Sequence, residues 1–274
     1  MHSMEPGMVL REKNGVKYLT IPSFEQAGGV ICAFSTRIGG VSPKPFDTLN
    51  FSRTREQCEE NFTENFTRFA QAVGFDEHKA VGINYAHSPS IYHVHKEDAG
   101  RGILDVPLPE YCDGLYTSEI GIPILSTHAD CVPLFFYDPH RRAVAVCHAG
   151  WRGVAAHMVR NAVNALADIG CNRGDILAAI GPCISVAHFE VGKEVKDIFV
   201  HEFGDSVIQT RDRKLYVDLN KACADDMLSA GLRAENITDA ALCTFAEESL
   251  FFSHRRDRGN TGAMFAVLSL KDEY

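Results

Sequence analysis

The sequence lacks the features that mark membrane, nucleic-acid-binding and secreted proteins. No apolar run approaches the roughly 20 residues that a membrane-spanning helix needs. No dense block of lysine and arginine is present, and the net charge of -9 argues against a nucleic-acid partner. The first residues, MHSMEPGMVLREKNG, contain no apolar signal-peptide core, so we expect a cytoplasmic protein.

The sequence also lacks a disulfide framework. It has 9 cysteines, an odd number at irregular spacings, and no CxxC pair. In a chain of this size without a signal peptide, that pattern predicts reduced thiols. We expect most of them to pack as small apolar side chains. A cysteine with a chemical role must therefore be recognised from its neighbours.

Neither an internal repeat nor a low-complexity linker divides the chain, and 274 residues can bury a large core. We therefore predict one domain over residues 1–274, with residues 1–28 as a peripheral N-terminal segment. Strand and helix patterns are interleaved, but hairpins interrupt the alternation. This favours a mixed sheet with helices on both faces over a purely parallel fold.

Several local patterns are clear enough to predict elements. VPLFFYDPHRRAVAVCHAG reads as a hairpin of two continuous apolar runs, which suits a sheet covered on both faces. Helical spacing predicts one helix from Glu56 to Val73 and another from about Val154 to Asp168. VGINYAH is a predicted strand, and Asn220 is the candidate cap of the helix that begins KACADD.

Three predicted strand ends carry side chains that bind metals. His87 ends INYAHS, Cys131 ends STHADC and His148 ends AVCHAG. Separate strand ends gather at one rim of a sheet, so these three could converge. Two imidazoles and a thiolate suit zinc, and three protein ligands leave a fourth position for water. Asp130 is a candidate for orienting one of the ligands.

The spacing of these residues does not decide the matter alone. With 12 histidines a chance triplet is easy to draw, and a strand-end histidine beside a buried free cysteine is the simpler alternative. His93 and His95 form a competing pair, because alternate residues share one face of a strand. His128 is another competitor, and with Cys183 it is also a candidate acid or base. All four also fit ordinary structural roles.

Arginines in glycine-bearing loops provide candidate anion sites. Gly150-Trp151-Arg152-Gly153 lies where a helix is predicted to begin, and free backbone N–H groups there attract anions. Arg152 adds a planar cationic fork. The other candidates for phosphate or carboxylate are Arg37 in STRIGG and the pair Arg255 and Arg256 in SHRRDRG. A tight turn and solvated loop charge are the structural alternatives.

Taken together, these segments resemble the laccase-domain family, also called the YfiH-like or multicopper polyphenol oxidase family. The resemblance covers about residues 30–270, and ADC followed closely by HAGWRG is its most specific part. In order, the segments are FSTRIGG, LNF, INYAHS, THADCVPLFFYD, AVCHAGWRG, AAIGPCI, FEVG and SHRRDRG. The resemblance implies an α+β fold with three layers, α/β/α, around a mixed β-sheet.

The resemblance also implies a ligand set of His87, Cys131 and His148. The family's first histidine usually follows Gln-Val and precedes glycine, whereas here Tyr85-Ala86 precedes it and Ser88 follows. The family name implies copper oxidase activity. Multicopper oxidation needs several coppers and many paired histidines, which one such site cannot supply, so zinc is favoured over copper.

The activity that the resemblance implies is purine nucleoside chemistry. It comprises phosphorolysis of adenosine, inosine and methylthioadenosine to the free base and ribose 1-phosphate, together with adenosine deamination. Catalysis would rest on Cys131, His148 and His87, and phosphate binding on Arg37, Arg152, Arg255 and Arg256. The expected partners are a purine nucleoside and phosphate, not nucleic acid or a membrane, and a homodimer is left open.

Two other functions compete with this one. In a metal-free cysteine hydrolase or deamidase, Cys131 would be the nucleophile, His148 the base and Asp130 the orienting carboxylate. Alternatively, the chain mainly binds a ligand or edits peptidoglycan precursors, with any nucleoside turnover incidental. Bound zinc would count against the hydrolase, because the metal would occupy the thiolate.

Overall fold

The computed structural model describes residues 7–86, 88–103 and 106–272. Its strands are β1 (Val9–Lys13), β2 (Val16–Thr20), β3 (Val30–Ser35), β4 (Val81–Gly82), β5 (Ile91–His93), β6 (Gly114–Thr117), β7 (Ile124–His128), β8 (Val132–Asp138), β9 (Ala143–Ala149), β10 (Leu177–Ile180), β11 (Glu190–Val191), β12 (Ile208–Arg211), β13 (Lys214–Val217), β14 (Ile237–Asp239) and β15 (Met264–Leu270). Its α-helices are α1 (Pro22–Ala27), α2 (Arg53–Glu56), α3 (Glu59–Val73), α4 (Trp151–Ala155), α5 (Met158–Asp168), α6 (Lys193–Phe203) and α7 (Leu219–Ser229).

Most strands belong to two six-stranded mixed sheets. The first sheet has the order β1-β2-β3-β15-β7-β4, and only β4 and β7 pair in parallel. The second sheet has the order β14-β10-β8-β9-β6-β5, with parallel pairs at its two edges. Strands β11, β13 and β12 form a small antiparallel sheet beside them.

The two large sheets pack face to face because their strands are apolar on both sides. On β3, Phe34 points into the core between the sheets and Ala33 into the core on the outer face. On β8, Phe135 points between the sheets and Leu134 towards the helices. Successive side chains of a strand point to opposite faces, so a continuous apolar run fills two cores.

Helices cover the outer face of each large sheet. Helix α3 packs Phe62, Phe66 and Phe69 on the first sheet. Helices α4, α5 and α7 pack on the second sheet. The predicted mixed β-structure between helical layers is therefore confirmed, and its β layer consists of two packed sheets rather than one.

The predicted hairpin is confirmed as β8 and β9, whose seven residue pairs run from Val132↔Ala149 to Asp138↔Ala143. Its turn is held by the Asp138 carboxylate, which accepts the backbone N–H groups of His140 and Arg141 at 2.9 and 3.0 Å. The helix predicted to start at Glu56 is confirmed as α3. A separate short helix, α2, and a left-handed residue at Gln57 precede it.

Three local predictions were wrong. The strand expected over residues 81–87 covers only Val81–Gly82 among the described residues. The helix expected from Val154 to Asp168 is divided by His157, which has a φ of 56° and whose ring nitrogens bind carboxylates of α7 and α6. The last helix is capped by Asp218, whose carboxylate accepts the Lys221 N–H, so Asn220 lies inside it.

Residues 7–28 contribute β1, β2 and α1 at one edge of the first sheet. The prediction of one domain with a peripheral segment at residues 1–28 stays a prediction.

In the described residues no helix is long and apolar enough to cross a membrane.

The outer core of the first sheet depends on Phe265. This side chain is 2% exposed and stacks on Phe51 with ring centroids 4.3 Å apart. We expect Phe265→Ala to lower the free energy of unfolding by about 3–5 kcal/mol, because the lost contacts leave a cavity. Denaturant titration measures the change. Tyr111→Ala truncates an aromatic ring that is 70% exposed, so its free energy of unfolding should stay within about 0.5 kcal/mol of the parent's. Equal losses in the two variants would contradict the role of Phe265 in this core.

Candidate active site

A cavity of about 520 Å³ opens beside the carboxyl end of β9. Polar, cationic and apolar side chains all line it. The lining residues are Ser88, Asp113, Ala129, Asp130, Cys131, His148, Gly150, Trp151, Arg152, Gly153, Ile184, Phe189, His254 and Arg255.

The hairpin register brings Cys131 and His148 together. Cys131 immediately precedes β8, and His148 is the second-last residue of β9, opposite Pro133. A methyl group built on Gly150 would lie 3.3 Å from Cys131 Sγ and 4.0 Å from His148 Cε1. The thiol and the imidazole therefore both lie near this glycine, where a side chain would crowd the thiol.

Asp113 orients the imidazole. It directly precedes β6, which pairs with β9, and its backbone C=O accepts the His148 N–H at 2.8 Å. Its carboxylate Oδ1 accepts a hydrogen bond from His148 Nδ1 at 3.2 Å. Because Nδ1 binds Asp113, Nε2 is the ring nitrogen that would bind a metal, as in metal-binding histidines whose other nitrogen is held by a carboxylate.

The charges of this group are coupled. Burial alone would lower the pKa of His148, but the nearby Cys131 charge and hydrogen bonds to Asp113 and Cys131 raise it to about 9. Burial alone would raise the pKa of Asp113, but hydrogen bonds from His148, Ser88 and Ala86 hold it below the usual carboxyl value. In the metal-free protein these interactions favour the charged forms of both His148 and Asp113.

His87 lies outside the described residues, but both of its neighbours are bound to the same carboxylate. Asp113 Oδ2 accepts the backbone N–H of Ala86 at 3.0 Å and that of Ser88 at 2.9 Å. The Tyr85 ring meets the His148 ring edge-on, with centroids 5.1 Å apart. The chain on either side of position 87 is therefore anchored beside His148.

Asp130 holds the walls of the cavity together. Its side chain is buried and accepts hydrogen bonds from Thr244 Oγ1 at 2.6 Å, Ser253 Oγ at 3.0 Å and the Arg255 N–H at 2.6 Å. None of its hydrogen bonds within the described ranges goes to His148. Among the described residues, the carboxylate that orients the His148 imidazole is therefore that of Asp113 and not that of Asp130.

The structure brings two of the four predicted arginines to the cavity. Arg152 lies over the Trp151 ring at 4.2 Å, and Arg255 donates to the Glu190 C=O at 3.0 Å. Arg37 lies elsewhere and donates to the Asp47 C=O at 2.8 Å. The Arg256 guanidinium is bound by backbone carbonyls of residues 244, 245 and 251.

The competing histidines and Cys183 lie behind or away from the cavity. His128 is 1% exposed, and burial followed by the charge of His148 lowers its pKa well below the usual value. Its ring nitrogens bond Ser126 Oγ at 2.7 Å and the Cys131 C=O at 3.2 Å, so it supports the Cys131 loop as a neutral ring. The rings of His93 and His95 pack together at the end of edge strand β5 and do not line the cavity, and Cys183 is buried.

Sequence reasoning missed Asp113, Phe189 and His254 as cavity residues. The Asp113-Gly114 dipeptide resembles an ordinary turn before a strand. Its importance depends on the pairing of β6 with β9, which nothing in the local sequence specifies. His254 stands in SHRRDRG, where the neighbouring arginines are the stronger signal of an anion site.

The described residues fit part of a zinc site. Cys131 and His148 supply sulfur and nitrogen donors, and Asp113 supports the imidazole. Residues 7–86, 88–103 and 106–272 contain no group of three His, Cys, Asp or Glu side chains that could hold a metal. The proposed third ligand is at position 87, between the two backbone groups that Asp113 anchors.

Comparison with known proteins identifies the family. The family model described as multi-copper polyphenol oxidoreductase laccase matches residues 31–271. The chain belongs to this family. The resemblance noted in the sequence, with its YfiH-like fold, is confirmed.

Relatives are similar in sequence and in structure to nearly the whole chain. The purine nucleoside phosphorylase YlmD of Bacillus subtilis (strain 168) is 35% identical over 248 residues, which cover 89% of each protein. The crystal structure of YlmD from Geobacillus stearothermophilus has a TM-score of 0.89 and 31% identity, covering 98% of this chain and 100% of that one. The structure of the Bacillus licheniformis hypothetical protein YfiH has a TM-score of 0.88 and 32% identity, covering 96% and 99%.

The hydrogen bonds of Asp130 lead to a testable prediction for the stability of the protein. Asparagine has one acceptor oxygen, so Asp130→Asn would turn an amide N–H₂ towards groups that need an acceptor. We expect the free energy of unfolding to fall by about 1–3 kcal/mol, the cost of leaving buried groups unpaired. Thermal or denaturant unfolding measures this, with the exposed Asp205→Asn as control. A loss no larger than the control's would show that the hydrogen bonds carry no net stability.

Proposed function

We propose that this protein is a zinc-dependent purine nucleoside phosphorylase. It would split adenosine and inosine into the free base and ribose 1-phosphate, accept methylthioadenosine as a related substrate, and deaminate adenosine. The observation that carries the proposal is one cavity that joins the Cys131–His148–Asp113 group to the cations Arg152 and Arg255. The phosphorylase names of the 30–35% identical relatives support it.

In this proposal His87, Cys131 and His148 hold the zinc ion. Bound zinc would act as a Lewis acid and lower the pKa of a bound water to about 7, which suits deamination. The protein's own contribution is orientation. Asp113 holds the His148 ring through Nδ1, and it anchors the backbone on both sides of position 87. Copper remains the alternative metal.

Phosphate would bind at the arginines of the cavity. In phosphorolysis a phosphate oxygen forms a bond to C1′ of the ribose while the C1′–N9 bond breaks and the base leaves with its electrons. No hydrogen bond or ion pair in the described parts of the chain holds the Arg152 guanidinium, which is therefore available to an anion. Arg255 is fixed by carbonyls of residues 188 and 190 and offers a second charge.

The purine would lie against the apolar part of the cavity. Trp151, Ile184 and Phe189 line it, and Arg255 lies 5.3 Å from the centre of the Phe189 ring. A flat base stacks on such aromatic surfaces, while a few polar groups fix its orientation. The cavity therefore offers both aromatic surface and cations, which suits a substrate pair of nucleoside and phosphate.

A cysteine hydrolase or deamidase is the second candidate, because Cys131, His148 and Asp113 are ordered as nucleophile, base and orienting carboxylate. The carboxylate in that arrangement is Asp113 and not Asp130. In a hydrolase the Cys131 sulfur would bind no metal, whereas in a zinc-dependent phosphorylase it would be a zinc ligand. Metal content and alkylation of Cys131 therefore separate the two functions.

We expect protein purified without chelators to hold about one zinc per chain. It should release adenine from adenosine only when phosphate is present, and inosine if it also deaminates. His148→Ala should lose the metal and lower turnover more than about 100-fold, as loss of a ligand exceeds the usual effect of losing its support. Mass spectrometry measures the zinc content, and chromatography measures the products of turnover.

His93→Ala is the matched control and tests the competing His93/His95 pair at the same time. It should retain zinc and turnover. Zinc that is retained in His148→Ala but lost in His93→Ala would assign the metal site to the His93/His95 pair instead. Metal-free wild-type protein that leaves adenosine intact, with iodoacetamide labelling of Cys131 unaffected by added zinc, would favour the hydrolase.

Arg152→Ala tests the phosphate position. We expect the KM for phosphate to rise about 10- to 100-fold, since a hydrogen bond to a charged group is worth about 1.5–3 kcal/mol. Steady-state kinetics with varied phosphate measures it. Arg68→Ala removes the same charge from the exposed face of α3 and should leave that KM unchanged. A change confined to deamination would give Arg152 a different role.

A further inference from the structure

A second group of nucleophilic side chains lies behind the cavity. Cys183 follows β10, and Cys243 follows β14; their backbones form a parallel bridge. The Cys183 N–H donates to the Leu242 C=O at 3.3 Å, and the Thr244 N–H donates to the Cys183 C=O at 3.0 Å. His188 lies beside Cys243. We call Cys183, Cys243 and His188 the thiol pair site.

The backbone places the two cysteines at a spacing that a disulfide can bridge. Paired residues of neighbouring strands lie about 4.8 Å apart and point to the same face of a sheet. Disulfides join Cα atoms that are about 4.4–6.8 Å apart. Cys183 and Cys243 could therefore be joined without a large movement of the backbone.

The environments of the two thiols differ. Cys183 is 1% exposed, burial raises its pKa well above the usual thiol value, and its Sγ donates to Asn220 Oδ1 at 3.0 Å. Cys243 is only partly buried, as Cys58 and Cys131 are. Cys243 is thus the thiol of this pair that a small molecule can reach.

Two neighbours prepare Cys243 for reaction. Its Sγ lies 3.5 Å from His188 Nδ1 and accepts the Ser185 N–H at 3.4 Å. The His188 ring is stacked on Phe245, with centroids 4.4 Å apart, which fixes its orientation. An imidazole can take the thiol proton, and a backbone N–H stabilises the sulfur anion that results.

We propose that Cys243 is a peroxide-reactive thiol and that Cys183 is its resolving partner. His188 takes the Cys243 proton, and the sulfur attacks one oxygen of hydrogen peroxide. The O–O bond breaks, one water leaves with the returned proton, and Cys243 becomes a sulfenic acid. The Cys183 sulfur then forms the S–S bond and displaces the hydroxyl, which leaves as a second water with the Cys183 proton. Two thiols lose two electrons, and one peroxide becomes two waters.

The thiol pair site adjoins the cavity without sharing its residues. Thr244, next to Cys243, donates its hydroxyl to Asp130, and Phe189, next to His188, lines the cavity. The oxidation chemistry requires no particular reaction in that cavity. Its test is therefore independent of nucleoside turnover.

The test is peptide mapping of the protein as purified, without added chelator, after treatment with hydrogen peroxide. One aliquot contains dimedone to trap sulfenic acid, and free thiols are then blocked before digestion without reductant. In the wild type we expect a Cys183–Cys243 disulfide that forms at least about 10-fold faster than Cys58 is oxidised, because Cys58 Sγ lies beside the Glu60 carboxylate instead of an imidazole. Cys183→Ser should leave a dimedone adduct on Cys243.

His188→Gln separates activation from exposure, since it should slow oxidation of Cys243 about 10-fold while Cys58 is unaffected. Cys58→Ser is the matched control and should leave the disulfide unchanged. Mapping of the wild type decides the proposal even if a variant fails to fold. Cys243 that stays reduced, or that reacts no faster than Cys58, would overturn it.

Discussion

The site depends on one buried carboxylate, that of Asp113. One of its oxygens accepts the His148 ring N–H, and the other accepts the backbone N–H groups of Ala86 and Ser88. Three segments far apart in the sequence are thereby fixed to one another. The pairing of β6 with β9 supplies the position, and the hydrogen bonds offset the cost of burying the charge.

Asp130 has the same role on the other side of the cavity. It binds Thr244 and the chain at residues 253–255, which carries Arg255 into the cavity. The reactive side chains between these two carboxylates need few contacts of their own. Cys131 and Arg152 can therefore remain accessible at the surface of a cavity whose walls are fixed from behind. Such division of labour is typical of preorganised sites.

The sequence predicted the features that are local. The β8–β9 hairpin and α3 follow from apolar patterning, and Cys131 and His148 were found because each ends a patterned segment. Features that depend on distant partners could not be predicted in this way. Asp113 gains its importance from strand register, and the division of the helix at His157 comes from carboxylates on α6 and α7. The partners of Arg37 and Arg256 are mainly backbone carbonyls, which carry no side-chain signal. Position 87 stays a prediction.

The order of strands in the first sheet has a consequence for how the molecule is assembled. Strand β15, residues 264–270, lies between β3 and β7 and pairs with both. Before β15 is in place, no hydrogen-bonded ladder joins strands β1, β2 and β3 to strands β4 and β7 of that sheet. Contacts between residues so distant in sequence form slowly. During synthesis on the ribosome, the nascent chain must therefore expose the unpaired backbone edges of β3 and β7 until β15 has left the exit tunnel.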